Sequence, residues 1–557
     1  MRRIVLICVL LLLCSDFPLH AQWSTNPTTN TPICTAERGQ SGPRIISDGA
    51  EGAIVTWNDG RNGTDVDIYA QKVDASGVVE WQLDGIPIST AAYTQYNPAI
   101  VSDGAGGAII TWDDSRSGSN RDIYAQKVNA SGAVQWQVEG VPICTEASDQ
   151  GGPAIVTDNT GGAIITWSVD YRGTDWDIYA QKIDGAGVAQ WTADGVPICL
   201  APASQVDANI ISDGAGGAIL VWNDVRNDTY DIYAQRVNAL GDVQWTVNGI
   251  LVKTSAGGQQ FLAMVSDGAG GAIIAWHDSA DIYAQRVNAS GEIEWQTDGV
   301  PICTATGNQG SPGIISDDAG GAIFMWGDFR SGTNNHIYAQ KVNSSGVVQW
   351  QVDGVPIATA DWENGAMIVS DDVGGAIITW YDTRNGSNDI YAQRVNASGV
   401  IEWQSGGVPI STASNNQQLS VIVSDGAGGA IITWQDYRSG TDYDIYAQRV
   451  LADGTLGNVT GLFDETHSLP ERFELEQNYP NPFNPSTTFN FQLPTESFVT
   501  LKVYDVLGRE VATLVNEKKD PGVHTVTWNA EKMSSGIYTY RITAGTFTAA
   551  KKLILLR

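Results

Sequence analysis

The sequence predicts an all-β chain: an eight-bladed β-propeller of four-stranded blades, closed by its N-terminal strand and followed by a small Ig-like β-sandwich. Three observations predict it, namely an eightfold repeat, four β-type runs in each unit, and complementary fragments at the two ends. A tryptophan ending an apolar run recurs as Trp57, Trp112, Trp167, Trp222, Trp276, Trp326, Trp380 and Trp434, about every 50–55 residues. Self-similarity at such a period marks solenoids, propellers and arrays, and the content of one unit decides among them.

In the second unit the run Pro98 to Ser102 meets Ala108 to Trp112 across the turn 103–107 (Asp-Gly-Ala-Gly-Gly). A glycine-rich turn between apolar runs is a hairpin signal, because glycine takes positive φ without steric cost. The third run, Ile123 to Val128, meets a fourth, Val134 to Ile143, across 129–132 (Asn-Ala-Ser-Gly). No run has a helical period, and two successive hairpins per unit describe a propeller blade. The second run is apolar throughout, as expected of a strand covered on both faces by neighbouring blades.

The ends supply closure. Trp23 to Cys34 matches only the last quarter of a unit, and the eighth unit stops at Asp453-Gly454 without that quarter. Trp23 to Ile33 is therefore expected as the outer strand of the blade containing Trp434, which leaves no open edge in the ring. The fourth-run tryptophans (Trp23, Trp81, Trp136, Trp191, Trp245, Trp295, Trp350 and Trp403) also number eight. A ring burying about 150–250 Å² is a large core contribution, so the periodic tryptophans are read as packing between blades and not as ligand platforms.

With 557 residues, 42% of them hydrophobic, the chain holds more than one domain. Arg2-Arg3, the apolar run Ile4 to Leu13 and the small-residue end at Ala21 read as a secretory signal peptide over 1–21. No other apolar run is long enough to span a bilayer, so no transmembrane anchor is expected after its removal. The propeller is placed at 22–457, a polar linker at 458–473 and a final domain at 474–557. Cys34, Cys144, Cys199 and Cys303 occupy one repeat position in different units, too far apart to bridge, and are expected as buried thiols. The five histidines form no ligand-spaced cluster with them, so no metal site is expected, and no cofactor. A net charge of −31 excludes nucleic acid as a partner.

The final domain reads as alternating strands with turn punctuation, hence a small sandwich. Its text includes Asn-Tyr-Pro-Asn-Pro-Phe-Asn-Pro at 478–485, Val-Tyr-Asp-Val-Leu-Gly-Arg-Glu-Val at 503–511 and Gly-Ile-Tyr at 536–538. These motifs resemble the type A C-terminal sorting domain of the bacterial type IX secretion system. The resemblance implies the type IX machinery as partner, export through the outer membrane, and a secreted or outer cell-surface location. In the propeller, Ala70, Asp74, Ser76-Gly77 and Trp81 distantly resemble the blade turn of eight-bladed quinoprotein-like propellers; the likeness stops at the turn and brings no cofactor.

No catalytic residue can be picked out. The Asp-x-Arg pair after the second run, from Asp59/Arg61 to Asp436/Arg438, is expected as an ion pair stitching loops rather than as a calcium loop. Function is expected where a unit departs from its siblings. Trp176 and Trp362, the two propeller tryptophans outside the repeat, and Tyr93 and Tyr96 are therefore the candidate ligand-binding residues, on the face made by second-to-third strand loops and blade connections. Unit five lacks the arginine and has the shortest such loop, between Trp276 and Asp281, so a notch is expected there. The expected function is a non-catalytic binding or adhesion module for a glycan or protein ligand. The alternatives are an extracellular polysaccharide-active enzyme and a structural surface-layer component.

Overall fold

A computed structural model describes residues 23–170, 175–254, 259–359, 362–457, 473–475, 478, 481, 483, 485–495, 497–519, 522–530, 532–545 and 547–555. The expected signal peptide and, apart from Phe473, the expected linker lie outside these residues. The chain divides into two compact units, Met1–Val459 and Thr460–Arg557.

In the first unit the described residues form eight four-stranded antiparallel sheets. Strand β1 (Thr31–Cys34) precedes the first complete blade, which runs β2 (Gln40–Ser47), β3 (Ala53–Asp59), β4 (Asp67–Val73), β5 (Ile86–Ser89) in both chain and sheet order. Every residue of the apolar β3 except Asn58 is buried, because a neighbouring blade covers each of its faces. The innermost strand β2 breaks register between Ser41 and Arg44, where Gly42 adopts φ +62°. The same register break recurs in the inner strands of the other blades, where a bulge kinks the strand locally.

The fourth strand is shorter than the sequence predicts. In blade two it spans Val141–Cys144 instead of beginning at Val134, which keeps only a single bridge to Val128. The cause is steric. Gly140, at φ +88°, lies over the ring of Trp112, and a Cβ there would stand 2.6 Å from it, so the chain turns around the buried indole before pairing. The closing strand is likewise Thr31–Cys34 alone, with Trp23 in the loop before it.

Closure takes the expected form. β1 pairs with Asp444–Val450, the third strand of the last blade. One core joins Trp23, Ile33 and Cys34 to Val55 and Trp57 of the first blade and Ile431 and Ile445 of the last. The fourth-run tryptophans form a circular lock: each donates its indole N–H to a hairpin carbonyl of the next blade. The series runs from Trp23 to Ala75 (3.1 Å) round to Trp403 to Ala452 (3.0 Å), eight bonds in all.

A second lock holds the other hairpins at the same end of the blades. Asp48 Oδ1 accepts the N–H groups of Ala50 and Gly52, both at 2.8 Å, while Oδ2 faces Lys72 at 3.3 Å. In all eight blades the Lys or Arg after Ala-Gln pairs with the hairpin aspartate in this way.

The second unit has a three-stranded sheet (Glu474–Leu475, Ser486–Leu493, Gly522–Asn529) and a four-stranded one (Ser497–Tyr504, Glu510–Lys519, Gly536–Ala544, Phe547–Leu555). Both contribute to one core that includes Phe489, Phe491, Val499, Leu501, Tyr540 and Leu553, which makes the unit a small sandwich. Its signature motifs do structural work. Buried Asn478 donates its main-chain N–H to the Tyr540 hydroxyl oxygen at 2.8 Å and its Nδ2 to Thr487 Oγ1 at 2.9 Å. Asn481 Oδ1 accepts the N–H of Ile554, and Phe483 N–H donates to its carbonyl, so the motif fastens the start of the unit to its last strand. Among the described residues no helix is long and apolar enough to cross a membrane.

Candidate functional site

The repeated charges on the second-to-third strand face are absorbed by structure. In blade one the fully buried Asp59 accepts the indole N–H of Trp57 (2.7 Å) and a two-point guanidinium pair from Arg61, through Nε (2.8 Å) and Nη2 (2.7 Å). Arg61 also donates to the Asp84 carbonyl and to the Cys34 sulfur of the preceding outer strand, and lies 3.8 Å over the Tyr69 ring. This cation–π arrangement recurs in six blades. Burial raises the Asp328 carboxyl, but hydrogen bonds from Arg330 and Trp326 outweigh it and hold the group below the usual range. In the six units where both members are described, the Asp-x-Arg pair is thus an ion pair within its loop, and its aspartate also accepts the N–H of a buried indole. Arg172 of the third unit lies outside the described residues. Among the described residues no group of three or more His, Cys, Asp or Glu side chains is placed to hold a metal ion.

The four cysteines are free and buried, and burial pushes each thiol up to about 12. Such thiols are poor nucleophiles. Three of them sit beside the arginine of the next blade's lock, with Nη2 3.2–3.3 Å from sulfur.

The four candidate aromatics do not converge. Tyr93 is 59% exposed at φ +63° in the connection between blades one and two, beside Gly118 of blade two. Tyr96 is not in that connection: it lies within the inner strand Gln95–Ser102, and its hydroxyl accepts Arg121 Nη1 at 2.7 Å. Trp176 is half-buried between blades three and four, with its main chain tied to Ser204 and Gln205. Trp362, between blades six and seven, is 42% exposed and meets Phe329 edge-on, with ring centroids 5.6 Å apart.

Of the four, Trp362 lines a cavity of about 360 Å³ with Phe329, His277, Asn335, Glu363 and Asn364. It draws on blades five, six and seven, and each contributes a departure from the repeat. Blade five supplies His277, whose Nε2 is buried without a partner among the described residues, beside its short Asp278-to-Asp281 turn. Blade six supplies Gly327 where the other units carry a side chain, and the Asn335 amide packs over it instead, 2.7 Å from where a Cβ would stand. Blade seven supplies Trp362 and Glu363. The fully buried Glu363 stands where the other inner strands begin with Gln, and it contacts His336 Nδ1 at 2.9 Å. His336 in turn replaces the Asp of the Asp-Ile-Tyr pattern, so two substitutions from adjacent units meet as one pair. Sequence reasoning missed this pair, although each member was visible as a one-letter break in the repeat. Chemically, the cavity offers an aromatic corner, amide donors and acceptors, and one sequestered carboxylate.

No curated protein sequence matches the chain. Among solved structures, the chain is similar to a protein of unknown function from Dyadobacter fermentans (10% identity, TM-score 0.32, covering 56% of this chain and 97% of that one). It is similar to an endo-arabinase from Bacteroides thetaiotaomicron (14% identity, TM-score 0.27, 50% and 99%). It is also similar to PorZ, a surface component of the type IX secretion system of Porphyromonas gingivalis (10% identity, TM-score 0.23, 94% and 100%). Residues 477–556 match the family model of the secretion system C-terminal sorting domain, and this tail marks the chain for export by the type IX system.

Proposed function

We propose that the protein is an exported propeller that binds a glycan or protein ligand without altering it, at the cavity between blades five and seven. The carrying observation is that three successive units depart from the repeat at this one place, while elsewhere on the same face the repeated charges are consumed in the Asp–Arg–Tyr lock. An exposed tryptophan set edge-on to a phenylalanine above amide-bearing walls suits the apolar face and hydroxyl rim of a sugar ring. Non-catalysis is supported by the acids present. Glycoside hydrolysis ordinarily uses two carboxyl groups flanking the bond, and among the described residues the cavity lining holds one, Glu363, buried against His336. The test is a glycan array on the full-length protein, paired with a reducing-sugar release assay on every array hit. Binding without release supports the reading, and release of reducing ends overturns it in favour of an enzyme.

A further inference from the structure

The eight innermost strands surround the propeller axis, each as the edge of its sheet, so their free main-chain groups and alternate side chains line a channel. A cavity of about 490 Å³ in this channel is bounded by the inner strands of six blades, with walls such as Ile45, Ile100, Ile155 and Ile422. One charge stands among them: Arg44. At the matched register position the other seven blades carry Ala, Ala, Asn, Ala, Gly, Met and Val, from Ala99 round to Val421.

Nothing in the repeat explains an arginine here. Among the described residues the other repeat cations are matched: the Lys or Arg after Ala-Gln faces a hairpin aspartate in every blade, and each described arginine of an Asp-x-Arg pair faces its own aspartate. Arg44 has no carboxylate within ion-pair distance among the described residues, and its one hydrogen bond donates Nη1 to the adjacent Pro43 carbonyl at 3.2 Å. The surrounding protein draws its guanidinium below the usual value through desolvation alone, with no acid acting on it. Its side chain nevertheless stays open to solvent inside the channel. In a chain with twice as many acidic as basic residues (62 against 31), an unpaired arginine facing an apolar channel is a fork without its partner.

We infer that the axial channel is a second ligand site, in which Arg44 receives the oxyanion group of a small ligand, a carboxylate, sulfate or phosphate, while the isoleucine walls cover its apolar part. A volume of about 490 Å³ suits a monosaccharide-sized acid. The planar guanidinium would grip two oxygens at once, which lysine does not reproduce.

The test is calorimetric titration of the full chain with glucuronate, sulfate and inorganic phosphate, and with glucose as the neutral control, on wild type, Arg44→Met, Arg44→Lys and Trp362→Ala. At least one anion is expected to bind wild type while glucose does not bind in the channel. Arg44→Met should weaken that anion about tenfold or more. Arg44→Lys should fall between, and Trp362→Ala should leave the anion unaffected, which separates this site from the blade five-to-seven cavity. The arms also separate the sources, since glucuronate alone points to an acidic sugar and sulfate or phosphate alone to an inorganic or ester anion. Failure of all three anions on wild type, or full retention of binding by a folded Arg44→Met protein, overturns the proposal; melting curves of the variants establish that they are folded.

Discussion

Replacing Trp23 with alanine should open the ring at the seam. Trp23 is 2% exposed, packs in the one core shared by the first and last blades, and donates the single lock bond that crosses from blade eight to blade one. Truncating a buried tryptophan costs about 3–5 kcal/mol through lost transfer energy and the cavity left behind. The lost hydrogen bond adds about 1 kcal/mol. With a urea dependence of about 3–4 kcal/mol per molar for a domain of this size, the first unfolding midpoint of the full chain should fall by about 1–2 M. Trp136 occupies the same repeat position inside the ring but is only half-buried, with its indole N–H bond at the surface. Trp136→Ala should therefore move the midpoint by no more than about half as much. Equal midpoints for the two variants, or an unchanged midpoint for Trp23→Ala, would refute the seam argument, because the first says the seam is no more than another blade junction and the second that the ring does not depend on it.

Other outcomes follow from the same physics. Desolvation, reinforced by Asp65, raises the buried Asp67 carboxyl to about 6, and desolvation likewise raises Asp122 and Asp444 to about 6. A raised folded-state pKa means that the group favours the folded state below its unfolded value near 3.8 and that this contribution is lost as pH rises through about 6. Asp67→Asn, which keeps the shape and removes the titration, should melt higher than wild type at pH 8 and no higher at pH 3.5; a pH-independent difference in melting temperature would contradict the assignment. For the tail, fusing residues 474–557 and a signal peptide to an inert reporter should carry the reporter across the outer membrane of a host with the type IX machinery, as judged by protease accessibility on intact cells. Retention in the periplasm, while a known sorting domain exports the same reporter, would count against it.

The fold was legible because the chain states it eight times. The Trp-ending apolar run and the Asp-Gly-Ala-Gly-Gly turn each specify a local hairpin, and the split unit at the ends leaves ring closure as the way to pair both fragments. The Asp-x-Arg reading also held, since an arginine two residues from an aspartate reaches it from within one loop. Strand length was less legible: the fourth strand is shortened by a tertiary contact, the backbone of Gly140 against Trp112, which no local pattern encodes.

The site was harder still. Trp362 was legible as an aromatic outside the repeat, but Tyr96, chosen by the same logic, is a strand residue bonded to Arg121. His336 and Glu363 are 27 residues apart and become a pair only when blades six and seven pack together. Arg44 reads as an ordinary strand residue until the ring places its position against seven uncharged counterparts.

The most direct test of the account is to titrate the strongest array hit into wild type, Trp362→Ala, Phe329→Ala and Trp176→Ala proteins by calorimetry. Losing one aromatic wall of a desolvated site costs about 1–3 kcal/mol, so Trp362→Ala and Phe329→Ala should each weaken binding about fivefold to a hundredfold. Trp176→Ala, from another sector of the ring, should bind as wild type does. Unchanged affinity in both cavity variants, with or without loss in Trp176→Ala, would contradict the placement of the ligand between blades five and seven.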